Sequence, residues 1–143
     1  MARGKRHIQA IYFGFNHEQL FLRIDPAALF DWKALRMRIH FIKPRHISME
    51  LDASASGVLL PVKIHASADG IRHESEIQIQ GGIIDHILEL AVPLNVLGFA
   101  ADSEADFYVQ VMDGVMEIER YPQHGQVRFI LPGPEFPLRV WSA

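Results

Sequence analysis

The sequence has no cysteine, which excludes disulfides, thiolate metal centres and thiol catalysis together. No apolar run approaches the roughly 18 residues of a membrane-spanning helix. Histidine is not scarce, but its eight residues stand at positions 7, 17, 40, 46, 65, 73, 86 and 124. No His-Glu-x-x-His occurs and no pair has the spacing of a zinc motif, so most of them read as outward strand residues. A Gly-x-Ser-x-Gly elbow and a phosphate-cradling glycine loop are missing too. Acid–base catalysis needs two carboxylates held close in a cleft. The pairs Glu74/Glu76 and Glu117/Glu119 instead read as exposed faces of edge strands, each pair on one face. No catalytic residue and no cofactor is assigned. A haem would need an axial pair from residues such as Met112, Met116 and His124, and methionine is ordinary core material. The basic start Met1–His7 leads into no apolar signal core, so the expected location is cytoplasmic.

What the chain does have is alternation. Its 143 residues, 49% hydrophobic and 22% charged, suit one globular domain that buries roughly two thirds of its unfolded surface. In 35–41 the odd positions are apolar and the even ones polar, and 47–52 repeats the scheme with the same parity. A hairpin symmetric about Pro44 sets Arg38 opposite Glu50, Arg36 opposite Asp52 and His40 opposite Ser48, on a solvated face. Leu35, Met37, Ile39, Met49 and Leu51 then face the core. Further strands are expected at 8–15, 20–25, 58–65, 71–80, 84–91, 105–112, 115–121, 126–131 and 138–141. The turn signals are Asn16–Gln19, Gly81-Gly82 and Asp113-Gly114. Leu94–Leu97 suits one helical turn between Pro93 and Gly98. A second suits Pro26–Leu35, with Asp25 as its cap. The expected fold is a single all-β domain over 1–143: an antiparallel β-sandwich of about ten strands with one or two short helical turns.

Charge is unevenly spread. Residues 1–50 carry nine Lys/Arg against four Asp/Glu, and the remainder five against thirteen. The cations are scattered over several strands, so complementary sheet faces explain the asymmetry better than a nucleic-acid partner. Asp102, Glu104 and Asp106 are the candidate calcium ligands. Position six of that run is Phe107 where a calcium loop needs glycine, which favours an acidic, solvated loop and no metal. Tyr12, Phe13, Phe15, Phe21, Phe41, Phe107 and Phe129 read as packing. Trp32, Tyr108, Tyr121 and Trp141 are the aromatics available as exposed platforms, which suit the apolar faces of sugar rings. Of these, Trp32, Tyr121 and Trp141, with His124, are the candidate carbohydrate-binding residues.

Three segments in order carry a family resemblance. They are Ile11–Asn16 followed by Leu20–Asp25, then Leu88–Leu94 closed by Leu97-Gly98, then Glu119-Arg120-Tyr121-Pro122 with Gly125. Together they resemble the C-terminal β-sandwich domain of family 57 glycoside hydrolases, itself similar to DOMON-like folds and family 9 carbohydrate-binding modules. The resemblance implies a non-catalytic accessory module that docks on a catalytic barrel, in the same or a neighbouring chain, and assists α-glucan binding. No binding residue is carried over by motif, because the sugar-sandwiching tryptophans of the relatives do not match Trp32 and Trp141. The reading from another class is a purely structural interaction module with no sugar ligand. In the Glu119–Pro122 segment the apolar count puts Arg120 on the buried face, near the rim with its head bonded, and leaves Tyr121 and His124 at the surface.

Overall fold

The computed structural model describes residues 6–27, 30–51, 59–68, 70–100, 102–131 and 140–142, with residues 68 and 140–142 described by backbone alone. The alternating segments form β1 (Ile8–Phe15), β2 (Gln19–Pro26), β3 (Arg36–Lys43), β4 (Ile47–Leu51), β5 (Leu59–Ala68), β6 (Ile71–Ile84) and β7 (Ile87–Pro93). After the single turn α1 (Leu94–Leu97) come β8 (Glu104–Asp113), β9 (Met116–Tyr121), β10 (Val127–Ile130) and β11 (Val140–Ser142). The fold is all-β and antiparallel, as expected. Its layers belong to one continuous sheet in the order β10-β8-β3-β4-β5-β6-β7-β2-β1-β11, with β9 also paired to β8.

The sheet rolls until its two ends nearly meet, giving a barrel-like body. Across the seam Phe13 lies 5.0 Å from Phe129 and edge-on to Phe107 at 6.1 Å, and Phe15 stacks on Phe129 at 5.3 Å. Offset and edge-on ring pairs at such spacings add attraction beyond their buried area. Further along the seam the Glu119 carboxylate on β9 accepts the backbone N–H groups of His7 and Ile8, both at 2.7 Å. A single side chain thereby satisfies two backbone donors at the start of β1.

Local chemistry explains the turns. The Asn16 side-chain oxygen accepts from the N–H groups of Glu18 and Gln19 at 2.8 Å, an Asx-type bond that fixes the β1–β2 hairpin. The β3–β4 register is the expected one: Arg38 lies opposite Glu50 and His40 opposite Ser48. Asp52 falls outside the described residues, and so does its pairing with Arg36. Met37, Ile39, Met49 and Leu51 are buried, Leu35 half so. Helix α1 stands where expected, and Gly98 ends it at φ 72°, a left-handed cap that glycine adopts without penalty.

Three expectations are corrected. The Gly81-Gly82 pair does not turn; β6 runs through it, and the reversal comes at Asp85 and His86, with φ 49° and 74°. Two successive left-handed residues make the tight hairpin whose twist matches paired strands. Gly81 is required for approach instead, since a Cβ there would lie 2.5 Å from the Glu89 carbonyl oxygen. The described residues of segment 26–35 form no helix, only a turn at 32–34. Pro26 ends β2, and Asp25 holds Arg23 at 2.7 and 3.0 Å in place of capping. Phe30 is buried against Trp32 at 4.7 Å and His7 at 6.3 Å, so tertiary packing outweighs a weak local helix signal.

The third correction concerns β9. Its pairing with β8 shifts between Val111–Glu119 and Met112–Glu117, leaving Ile118 as an extra residue. A bulged residue reverses the side on which the following side chains fall. Glu117 therefore bonds the outward Gln110 at 2.7 Å while Glu119 turns to the seam. The two carboxylates do not share a face. Tyr121 packs against the core, and Arg120 is the outward residue. Arg120 bonds the Gly125 carbonyl at 2.6 Å, and its guanidinium lies 3.8 Å from the centre of the Tyr108 ring.

Candidate functional site

An open groove of about 630 Å³ lies on the outer face of β1, β2, β7 and β6. Two neighbouring cross-strand rows build it. One sets Tyr12, Arg23 and Glu89 side by side; the other sets Gly14, Phe21, Ala91 and Gln80. Ala91 and Gly81 line it without bulk, so the larger side chains stand as walls. Outward direction follows from alternation. Tyr12 and Phe21 have the parity opposite to the buried Ile11, Phe13, Leu20 and Leu22.

Polar groups are held around these rings. Both oxygens of Asp25 grip Arg23, whose guanidinium lies 5.2 Å from the centre of the Tyr12 ring. Bonding by Asp25, then its charge, raises the Arg23 pKa above the ordinary value. Glu89, opposite Arg23, and Gln80, opposite Ala91, are exposed. The arrangement sets aromatic rings beside a fixed cation, a carboxylate and an amide. Concave, mostly apolar surfaces with a few placed polar groups are the usual form of small-molecule sites.

Elsewhere the candidate residues are dispersed. Trp32 donates its indole N–H to the His86 carbonyl at 3.2 Å and is half-buried over the end of the sheet. Trp141 is placed by its backbone opposite Gly14. Trp32 reaches β1 at the other end, through Phe30 and His7; about 20 Å of strand separates the two places at the usual rise per residue. Tyr121 borders a smaller cavity of about 270 Å³ with Arg6, Pro122 and Gln123. His124 is exposed in the turn 122–125. Glu104 meets Lys43 at 3.3 Å, and the buried Asp106 meets Arg128 at 3.4 Å. Asp102 lies in a turn at φ 62°. Among the described residues no three acidic or histidine side chains are grouped to hold a metal ion, and no helix is long and apolar enough to cross a membrane.

Tyr12 and Phe21 read as packing residues, but the structure places both outward, and their parity is the signal for it. No protein-family model matches the chain, and no curated protein or solved structure is significantly similar to it.

Proposed function

We propose that the chain is a non-catalytic accessory module of a family 57-type glycoside hydrolase, holding α-glucan at its surface beside a catalytic barrel. The observation that carries the reading is the Tyr12–Phe21 groove, with Arg23, Glu89 and Gln80 around its aromatic walls. The apolar face of a glucose ring stacks on such walls while its hydroxyls bond the flanking polar groups. The family resemblance of the three sequence segments supports the same reading. Catalysis then belongs to the barrel.

Retention on immobilised starch tests the reading, and so does Tyr12→Ala. Tyr12 points outward and is partly buried beside Arg23, so the variant stays folded, with a modestly lowered melting temperature, while losing retention. No retention by either removes glucan from the reading, and equal retention by both removes the Tyr12 groove as its site.

One observation favours the purely structural alternative. Val115 (99% exposed), Met116 (65%) and Ile118 (38%) display apolar side chains along the β8–β9 turn and β9. Exposed apolar clusters of this kind serve protein contacts. Co-elution with a catalytic barrel that Met116→Lys abolishes, without starch retention, selects that alternative.

A further inference from the structure

A second groove, about 340 Å³, lies on the outer face of the other half of the sheet. Cross-strand register sets Tyr108 of β8, His40 of β3, Ser48 of β4 and His65 of β5 in one row. Ser48 is the small member of that row and leaves a notch between His40 and His65. One wall is rigid. The His40 ring stacks on Tyr108 at 4.9 Å and 15°, and Tyr108 also carries the Arg120 guanidinium. His40 Nε2 is further fixed by the Gln110 side-chain oxygen. His46, Ser67 and Arg72 border the rest of the groove.

The chemistry of this lining has one direction. His46, Ser48, His65, Ser67 and Arg72 make no side-chain hydrogen bond or ion pair with any described residue. They bring hydroxyl, imidazole and guanidinium groups from three strands and the β3–β4 turn. Among the described residues no carboxylate lines the groove, although the chain carries a net charge of −3. The nearby acids are engaged elsewhere: Glu50 with Arg38 at 3.5 Å, Asp106 with Arg128 and Glu104 with Lys43. Glu117 is engaged by Gln110. Glu74, opposite His65, is the exposed acid at the far edge.

We propose that this groove binds a small phosphomonoester, with the phosphoryl group at Ser48, His65, Ser67 and Arg72 and the remainder of the ligand along the His40–Tyr108 stack. A phosphoryl group presents three acceptor oxygens, matching donors that arrive from several strands, whereas a carboxylate presents two in one plane. Charge-assisted bonds of guanidinium to phosphate are among the stronger polar contacts. The volume lies within the range of small-molecule pockets. The site is separate from the Tyr12 groove and does not depend on the glucan reading.

The test is titration of the whole chain with inorganic phosphate, glucose 6-phosphate and, as a control, acetate, followed by the histidine ring resonances. The expected result is movement of His40, His46 and His65 with the two phosphates, greater for the sugar phosphate, while His124 stays still. Arg72→Ala, an exposed position that leaves folding intact, weakens binding about tenfold, the usual scale for one charge-assisted bond. Ser48→Leu fills the notch and abolishes binding. Glu74→Gln tightens it by removing the acid opposite His65. No ring movement at tens of millimolar phosphate overturns the proposal. Equal movement with acetate, or movement that Arg72→Ala leaves unchanged, overturns it as well.

Discussion

The β3–β4 hairpin and β9 are both short alternating segments, yet only one keeps the faces its alternation implies. In β3–β4 every apolar position of the inward parity from Met37 to Leu51 is buried, and Arg38 reaches Glu50 on the other side. In β9 the expected faces are exchanged, with Tyr121 and Glu119 inward and Arg120 outward. The difference is one of neighbours. β3 is held between β4 and β8, and β4 between β3 and β5, so a one-residue slip would expose a whole row of core side chains. β9 pairs only with β8 among the described strands, so the extra residue at Ile118 is accommodated at little cost. Alternation decides the face of a strand where register is held from both sides. At an edge, a bulge overrides it.

The comparison is sharpened most by removing bulk from its well-determined side. Phe41 is 2% exposed and touches Phe107, so Phe41→Ala should cost about 3–5 kcal/mol in urea unfolding through lost transfer energy and the cavity left behind. A loss below about 1 kcal/mol would mean that β3 is not held as described.

Glu117 and Glu119 break the comparison from the other side, because a shared face would make their substitutions equivalent. Glu119→Ala strands the N–H groups of His7 and Ile8 at the seam and should cost roughly 2–3 kcal/mol. Glu117 is exposed, and Glu117→Ala should stay within about 0.5 kcal/mol of wild type. Paired melting curves decide it; equal shifts would restore the shared face.

The smallest effect is a pH slope on β3. Burial holds the His40 imidazole below its ordinary value, and the bond to Gln110 only partly opposes this. The unfolded chain therefore takes up a proton at this residue before the native chain does. Stability is unaffected above the ordinary value, falls as pH drops below it, and levels off beneath the native value. An imidazole titration midpoint below about 6.5 checks the direction, and His40→Asn should flatten that part of the stability profile.

The candidate sites were less legible than the fold. Tyr12 and Phe21 could be placed outward by parity, but their meeting in one groove required β2 to lie between β1 and β7. His40 and His65 are outward-facing strand residues as the sequence reads them, whereas His7, His17, His46, His86 and His124 lie outside the strands. That Ser48 opens a notch between His40 and His65 depends on β4 lying between β3 and β5. The reversal at Asp85-His86 was hidden behind Gly81-Gly82, because a glycine pair signals backbone freedom without saying whether a turn or a close strand uses it.

Local chemistry in the sequence is enough to determine the all-β class, most strand positions, the β3–β4 register, a hairpin at Gly114 (its loop, Gly114-Val115, lies one residue beyond the expected Asp113-Gly114) and the stop of α1 at Gly98. Each rests on side-chain periodicity or on backbone preferences acting over a few residues. Only the tertiary structure decided that the strands form one rolled sheet, that Glu119 closes its seam, and which outward side chains meet. Those outcomes depend on which distant strands become neighbours. Strand order is set by the packing of the whole core, and no local pattern encodes it.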